Sequence, residues 1–323
     1  MARSRIVGLV ALAACVPAAA LAEPLVTMNQ NPLVLPYGLP LPLPARLPAS
    51  GHGRYGLDVN WSNTATIEGS GSYDATVDAE TVDVRLRLEH SFGERWAVMA
   101  EIPWRSIGGG SLDGSIEGWH DFWGMPNGDR DQLPKDQYLI EVQKDGQSLL
   151  YLDRTGSGIA DIPIRGGYQL VADEKNALAA WLTVDLPTGD PDYLLGSGAT
   201  DVAVSIAGQS QLAEHWQVFG QFDLAWLGSG DVMPGYQQDL VVAGLAGVSW
   251  NAWRALDLTV QLYANSKVFD VPVNGVSGDA VVLGFGGTWR TGGGWRFDFG
   301  MNEDVDVGAS PDATFYLLLQ KNF

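Results

Sequence analysis

The chain has 323 residues, among them 40 glycines and 12 tryptophans, and a formal charge of −19 at pH 7. Acidity on that scale excludes a general nucleic-acid binder, because holding phosphates takes a basic surface. Beyond residue 22 no stretch has the length and unbroken apolarity of a membrane-crossing helix, and the mean hydropathy is +0.00.

The first segment directs export. Arg3 and Arg5 precede an uncharged run from Ile6 to Ala14, and Ala20-Leu21-Ala22 forms an Ala-x-Ala site. This is a secretory signal peptide over 1–22, too short to span a bilayer, with cleavage expected after Ala22. Losing Arg3 and Arg5 takes the charge from −19 to −21. Leu12-Ala13-Ala14-Cys15 also fits a lipoprotein cleavage box, but the apolar residues after Cys15 do not resemble a polar tether. If Cys15 leaves with the signal, thiol and disulfide chemistry leave with it.

Residues 23–52 carry Asn29-Gln30-Asn31-Pro32-Leu33 and then Pro36, Pro40, Pro42, Pro44 and Pro48. That spacing favours an extended polyproline-II segment and forbids a central strand. Two readings stand: a plug that threads a lumen or lies at its mouth, and a disordered leader.

From residue 53 to 323, short stretches alternate in apolarity with period two, which sends neighbouring side chains to opposite faces. Val82, Val84, Leu86 and Leu88 alternate with Asp83, Arg85, Arg87 and Glu89. Leu256, Leu258, Val260 and Leu262 alternate with Asp257, Thr259, Gln261 and Tyr263. The connections settle the class. Short turns at 93–95, 173–176, 213–215, 251–255 and 291–294 alternate with long polar ones at about 63–79, 106–156, 188–199, 228–238, 268–278 and 303–311. An antiparallel transmembrane β-barrel of about twelve strands has this pattern, with short periplasmic turns and long external loops. Trp96, Trp216, Trp253 and Trp295 sit at short turns, and Trp61, Trp104 and Trp226 near long ones. These are the two expected aromatic girdles, which a soluble β-sandwich would not explain.

The longest connection, 106–156, contains Trp119-His120-Asp121-Phe122-Trp123, one expected helical turn closed by Gly124 and Pro126. Asp145-Gly146 is a hairpin signal between two apolar runs. Trp119, His120, Asp121, Phe122, Trp123 and Arg130 are therefore loop-cluster candidates, either for a lid or apolar ligand site or for a loop packing its own aromatics. The last strand, from Asp312, ends in Phe323 and resembles the signal read by the barrel-assembly machinery, except at Lys321.

With the apolar set facing lipid, the lumen-lining candidates are Arg85, Arg87, Glu89, Glu101, Arg105, Asp161, Arg165, Asp185, Asp223, Asp257, Arg296 and Asp298. Asp201, Gln221 and Gln261 share their parity. Charges of both signs at such depth must pair or meet water. They form either a polar pathway or a salt-bridge network filling a closed barrel. Val260 is expected to face lipid and Gln261 the lumen, where Gln261→Arg should be tolerated.

Two motifs, Asn29-Gln30-Asn31-Pro32-Leu33 and Trp119-His120-Asp121-Phe122-x-Gly124-x-Pro126 followed by Arg130 and Pro134, resemble a bacterial outer-membrane family, the domain of unknown function three-one-eight-seven. Gly158-Ile159-Ala160-Asp161 and the terminal Phe323 are similar too. The resemblance implies an outer-membrane barrel and assigns no activity.

Enzyme chemistry finds little support. Glu89-His90-Ser91 lies by a short turn with neighbours on opposite faces, and His120-Asp121 lacks a fixed nucleophile. His52, His90, His120 and His215 show no zinc spacing. Asp129 with Asp131, Asp190 with Asp192, and Asp304 with Asp306 could bind calcium, but a calcium site needs six or more oxygens and simple solvation is the expected reading. No cofactor or metal is expected. The expectation is an outer-membrane barrel contacting lipid and lipopolysaccharide, inserted by the assembly machinery, and serving as a channel for small solutes. A closed barrel with a structural or surface role is the alternative, and a surface hydrolase ranks third.

Overall fold

The computed structural model describes residues 22–124, 128–305 and 308–323. The expected signal peptide up to residue 21, Cys15, Pro126 and Asp306 lie outside the described residues. The strands are β1 Gly53–Ser70, β2 Tyr73–Phe92, β3 Trp96–Gly108, β4 Leu139–Lys144, β5 Gln147–Leu152, β6 Gly156–Ile159, β7 Ile162–Ala172, β8 Asn176–Leu186, β9 Asp201–Ala213, β10 Trp216–Trp226, β11 Leu240–Trp253, β12 Leu256–Asn265, β13 Ala280–Arg290, β14 Trp295–Asp304 and β15 Ala313–Asn322. Two short helices are added, α1 Asp113–Trp123 and α2 Asn274–Ser277.

All pairings are antiparallel, and β1 pairs with both β2 and β15, so the sheet closes on itself. β6 and β7 both pair with β3 and are two halves of one stave: Trp104 opposes Ile159 while Ala100 opposes Ile164, a one-residue slip at Ala160-Asp161. The wall is thus a twelve-stranded transmembrane β-barrel. The hairpin β4–β5 stands outside that count and extends the sheet from the upper half of β2. It turns at Asp145-Gly146, both with positive φ (51° and 74°), as such a two-residue turn requires.

One expected loop is a strand pair instead. Residues 63–79 complete β1 and β2, which stay paired from Gly53–His90 up to Ser70–Tyr73 and turn at Gly71-Ser72. Their polar composition resembled a loop because these ends rise past the lipid-facing band, where neither face need be apolar.

The outer face is lipid-like. Leu86, Leu88, Val260 and Leu262 are exposed, whereas Arg85, Arg87 and Gln261 between them are buried. Trp216 stacks on Trp250 with centroids 6.2 Å apart, and Trp96 tilts against Tyr168 at 4.7 Å, at the short-turn end.

The interior is filled by the N-terminal segment, where nearly every residue from Ala22 to Ala45 is buried. It rises from the periplasmic mouth, turns near the outer end and descends to Gly53. Asn31 builds the turn. Its side chain accepts from the Leu33 N–H at 2.9 Å, and its carbonyl accepts from Val34 and Leu35 at 2.9 and 3.0 Å. Pro32, with no N–H of its own, fits the first position after that cap. Above, Leu33, Leu35, Leu194, Phe269, Val271 and Val276 pack into one apolar cluster with the inward-folded outer loops.

Candidate functional site

The site is the occupied lumen, and two chemistries meet there. The first is a set of amide clamps. Leu25 donates its N–H to Gln261 Oε1 at 2.9 Å, and its carbonyl accepts from Gln261 Nε2 at 3.0 Å. Gln221 accepts from the Leu43 N–H at 2.6 Å and donates to the Leu41 carbonyl at 3.1 Å. Gln169 accepts from the Leu47 N–H and donates to the Ala45 carbonyl, both at 2.8 Å. A glutamine side chain carries the same donor and acceptor as a peptide, so each stands in for a neighbouring strand. The proline spacing permits this: Pro40, Pro42, Pro44 and Pro48 alternate with residues that keep an N–H. Trp181 Nε1 donates to the Pro44 carbonyl at 3.0 Å. Thr27 donates to Asn60 at 2.9 Å and accepts from Asn302 at 2.7 Å.

The second chemistry is charge. All twelve lumen-lining candidates are buried on the inner side, but they fall into separate groups. Arg85, Arg87, Glu101, Arg105, Arg165 and Asp185 form one wall on β2, β3, β7 and β8, with Asp161 at the break between β6 and β7. There Glu101 pairs with Arg87 at 2.9 Å and Arg165 at 3.0 Å, and Asp83 pairs with Arg85 at 3.0 Å and Arg105 at 2.9 Å. Glu89, Arg296 and Asp298 lie at the periplasmic end, where Arg54 and Arg296 both bridge Glu23. Burial would raise the Glu23 carboxyl, but the two guanidiniums outweigh it and hold it down at about 2. Asp257 pairs with Arg290, and Asp223 accepts from Gln221 at 2.9 Å.

Parity identified the inward set but not its partners. Glu23, Arg54, Asp58, Asn60, Asp83 and Gln169 belong to the site, although none was singled out for it. Asp83 shares the parity of Arg85 and could have been found that way. Gln169 could not, because its role exists only once a backbone lies opposite. Gln261→Arg is likewise reconsidered: the position faces the lumen, but a cation there would lose both bonds to Leu25.

Both sides leave remainders: on β9, β12 and β13 the neutral Gln209 amide, Tyr263 Oη and Thr288 Oγ1 have no hydrogen-bonding partner among the described residues. On the charged side both oxygens of Asp58, Asp185 Oδ1, Thr183 Oγ1, Arg85 Nη1 and Arg165 Nε have no hydrogen-bonding partner among the described residues. A cavity of about 40 Å³ separates this wall from Met28, Tyr37 and Leu41. A separate, smaller one of about 10 Å³ lies beside Arg87 and Glu89, and the periplasmic mouth holds about 400 Å³ around Arg46, His52 and Phe323. On the outer side of the same flank a vestibule of about 430 Å³ lies between Tyr151, Arg154, Tyr193 and Asp231. Gly38 lies close against the wall, where a Cβ would sit 2.8 Å from Asp201 and 2.9 Å from Asp185.

The loop cluster is not over the mouth. His120 and Arg130 are buried and Asp121 is exposed, while Trp119, Phe122 and Trp123 pack on one another at the surface. Their helix α1 packs against Ala313 and Glu80 on the outer face of the barrel. Among the described residues no three His, Cys, Asp or Glu side chains gather as a metal set.

The model of a family described as "Protein of unknown function (DUF3187)" matches residues 3–323. Among curated proteins none matches. The chain resembles the crystal structure of the COG4313 outer membrane channel from Pseudomonas putida F1 with a TM-score of 0.57 and 15% identity, covering 86% of this chain and 97% of that one. The Pseudomonas putida toluene transporter TodX matches at 0.45 and 10% identity over 94% and 96% of the two chains, and the NanC porin at 0.44 and 9% over 84% and 99%. At these identities the first likeness bears on the fold alone, and the looser two add nothing to it.

Proposed function

The chain belongs to the DUF3187 family, and from that premise we propose that it is an outer-membrane channel for small hydrophilic solutes, held shut by its own N-terminal segment. The observation that carries this is the asymmetry of the lumen. A barrel built only to be filled would satisfy its buried charges as it satisfies the backbone at Gln169, Gln221 and Gln261. Instead the wall of β2, β3, β7 and β8 keeps Asp185 Oδ1, Arg85 Nη1 and Arg165 Nε with no hydrogen-bonding partner among the described residues, beside a small cavity. Leaving such groups dry is expensive, so water occupies that side and small solutes can follow it. Export through a signal cleaved after Ala22 and insertion by the assembly machinery complete the proposal. N-terminal sequencing of the membrane-extracted protein should then begin at Glu23.

The experiment is planar-bilayer conductance of the full chain beside the combined Gln169→Ala, Gln221→Ala and Gln261→Ala variant. The full chain should conduct little. The variant should show more frequent or larger openings while still migrating as a heat-modifiable barrel. Identical traces from both would contradict a gating role for the segment.

A second function, a closed structural barrel, is favoured by one feature: the apolar cluster of Leu33, Leu35, Phe269 and Val276 across the outer end. It predicts no conductance in either protein.

A further inference from the structure

Helix α1 lies where a soluble loop would not put it. On β15, Phe315, Leu317 and Leu319 form an exposed lipid-facing row. Ala313 continues that row, yet it is 1% exposed because Leu112 and Ile116 pack on it. Asn63 shares the face of Trp61 on β1, and Glu80 pairs with Asn63 on β2. Glu80 Oε2 accepts from the Ser111 and Leu112 N–H groups at 2.7 and 2.8 Å, while its Oε1 accepts from Trp61 Nε1 at 2.7 Å. Arg130 bridges Asp113 and Asp312 and donates to Asn63 Oδ1 at 2.7 Å. A buried polar lock thus fastens α1 to the outside of the barrel, two residues or about 7 Å beyond the Trp61 girdle.

The free side of that helix is aromatic. Phe122 is 76% exposed, Trp123 59% and Trp119 38%, with ring centroids 5.1 Å apart for Phe122–Trp123 and 5.6 Å for Trp119–Trp123. The Trp119 indole also reaches Glu303, which shares the outward face of Ala313. The patch is therefore continuous with the lipid-facing belt and stands at the height where aromatic rings sit among headgroups.

We propose that α1 is an interfacial foot, whose Trp119, Phe122 and Trp123 enter the headgroup–acyl boundary of the outer leaflet and fix the barrel's depth on its β14–β15–β1–β2 side. It rests on the transmembrane fold and is independent of whether the lumen conducts.

The test places a polarity-sensitive fluorophore on Phe122→Cys in a full chain also carrying Cys15→Ser, refolded into phosphatidylcholine vesicles. Val260→Cys serves as the buried-in-lipid reference and Asp192→Cys as the aqueous one. Emission from position 122 should be blue-shifted relative to 192. A nitroxide near the lipid glycerol should quench it at least twofold more than one near the acyl terminus, the reverse of position 260. Emission like that at 192, quenched by aqueous iodide alone, would overturn the proposal. So would protection from both quenchers, appearing only at high protein-to-lipid ratio, because that places a second copy on the patch. Heat-modifiable migration of each variant ensures that a folded barrel is being read.

Discussion

Two flanks of the same lumen hold their polar groups in opposite ways. Where Gln261 and Gln221 face the N-terminal segment, each amide meets one backbone donor and one backbone acceptor. Across from them, on β2, β3, β7 and β8, guanidiniums and carboxylates meet each other. A guanidinium has five donors and a carboxylate about four acceptor sites, so pairing charges in a narrow barrel rarely exhausts both. Gln221 and Gln261 thus bind the segment, and on the proposed reading the charged flank holds water and borders the path. A filled lumen need not be filled uniformly.

The sharpest way to break that contrast is on the amide flank. Gln261→Ala leaves the Leu25 N–H unpaired, at about 1–3 kcal/mol, while the Leu25 carbonyl keeps its bond from the Thr27 N–H. Urea titration in micelles should show a loss comparable to Val260→Arg on the lipid face, expected at about 2–4 kcal/mol. If Gln261→Ala were silent while Val260→Arg was not, the clamp would not be holding the segment.

On the charged flank a smaller effect is expected. Asp185→Asn keeps the shape and removes a charge with an oxygen that no donor among the described residues meets. Its cost should stay within about 0.5–1 kcal/mol, and reversal potentials under a salt gradient should shift towards anions. A loss as large as that of Gln261→Ala would mean the flank is dry after all.

The mildest perturbation is pH at the periplasmic anchor. A carboxyl ordinarily near 4.5 and held at about 2 by Arg54 and Arg296 adds stability above about 4.5 and loses it as pH falls towards about 2. Limited proteolysis near pH 3 should therefore cut around Glu23–Val26 more readily than at pH 7. Glu23→Gln should make the two pH values alike. Equal protection of the native chain at both would remove Glu23 from the anchor.

Much of this was legible in the residues, for reasons that also fix where legibility ended. Period-two alternation and the rhythm of turns depend on one lipid-facing side, so the wall and its twelve staves followed wherever strands cross lipid. Above the girdle the constraint vanishes, and the polar ends of β1 and β2 resembled a loop at 63–79. The same parity placed Arg85, Glu101 and Asp185 inside. It could not pair them, since Glu101 meets Arg165 only through the closure of β3 on β7. Nor could it show that the prolines after Asn31 alternate with N–H groups that two distant glutamines, Gln169 and Gln221, take up. Trp119 to Trp123 announced an aromatic cluster, but its place outside the wall depends on Asn63, Glu80 and Ala313, residues of no distinction in the sequence.

The central claim is that the N-terminal segment, not the side chains of the wall, closes this barrel. Deleting Glu23 to Ala49 removes both the ascending and the descending arms, and single-channel recording of the refolded product tests the claim most directly. Closure by the segment predicts a heat-modifiable barrel with a stable conductance well above that of the full chain and greater permeability to large antibiotics in cells. A folded deletion variant that conducts no more than the full chain would contradict it.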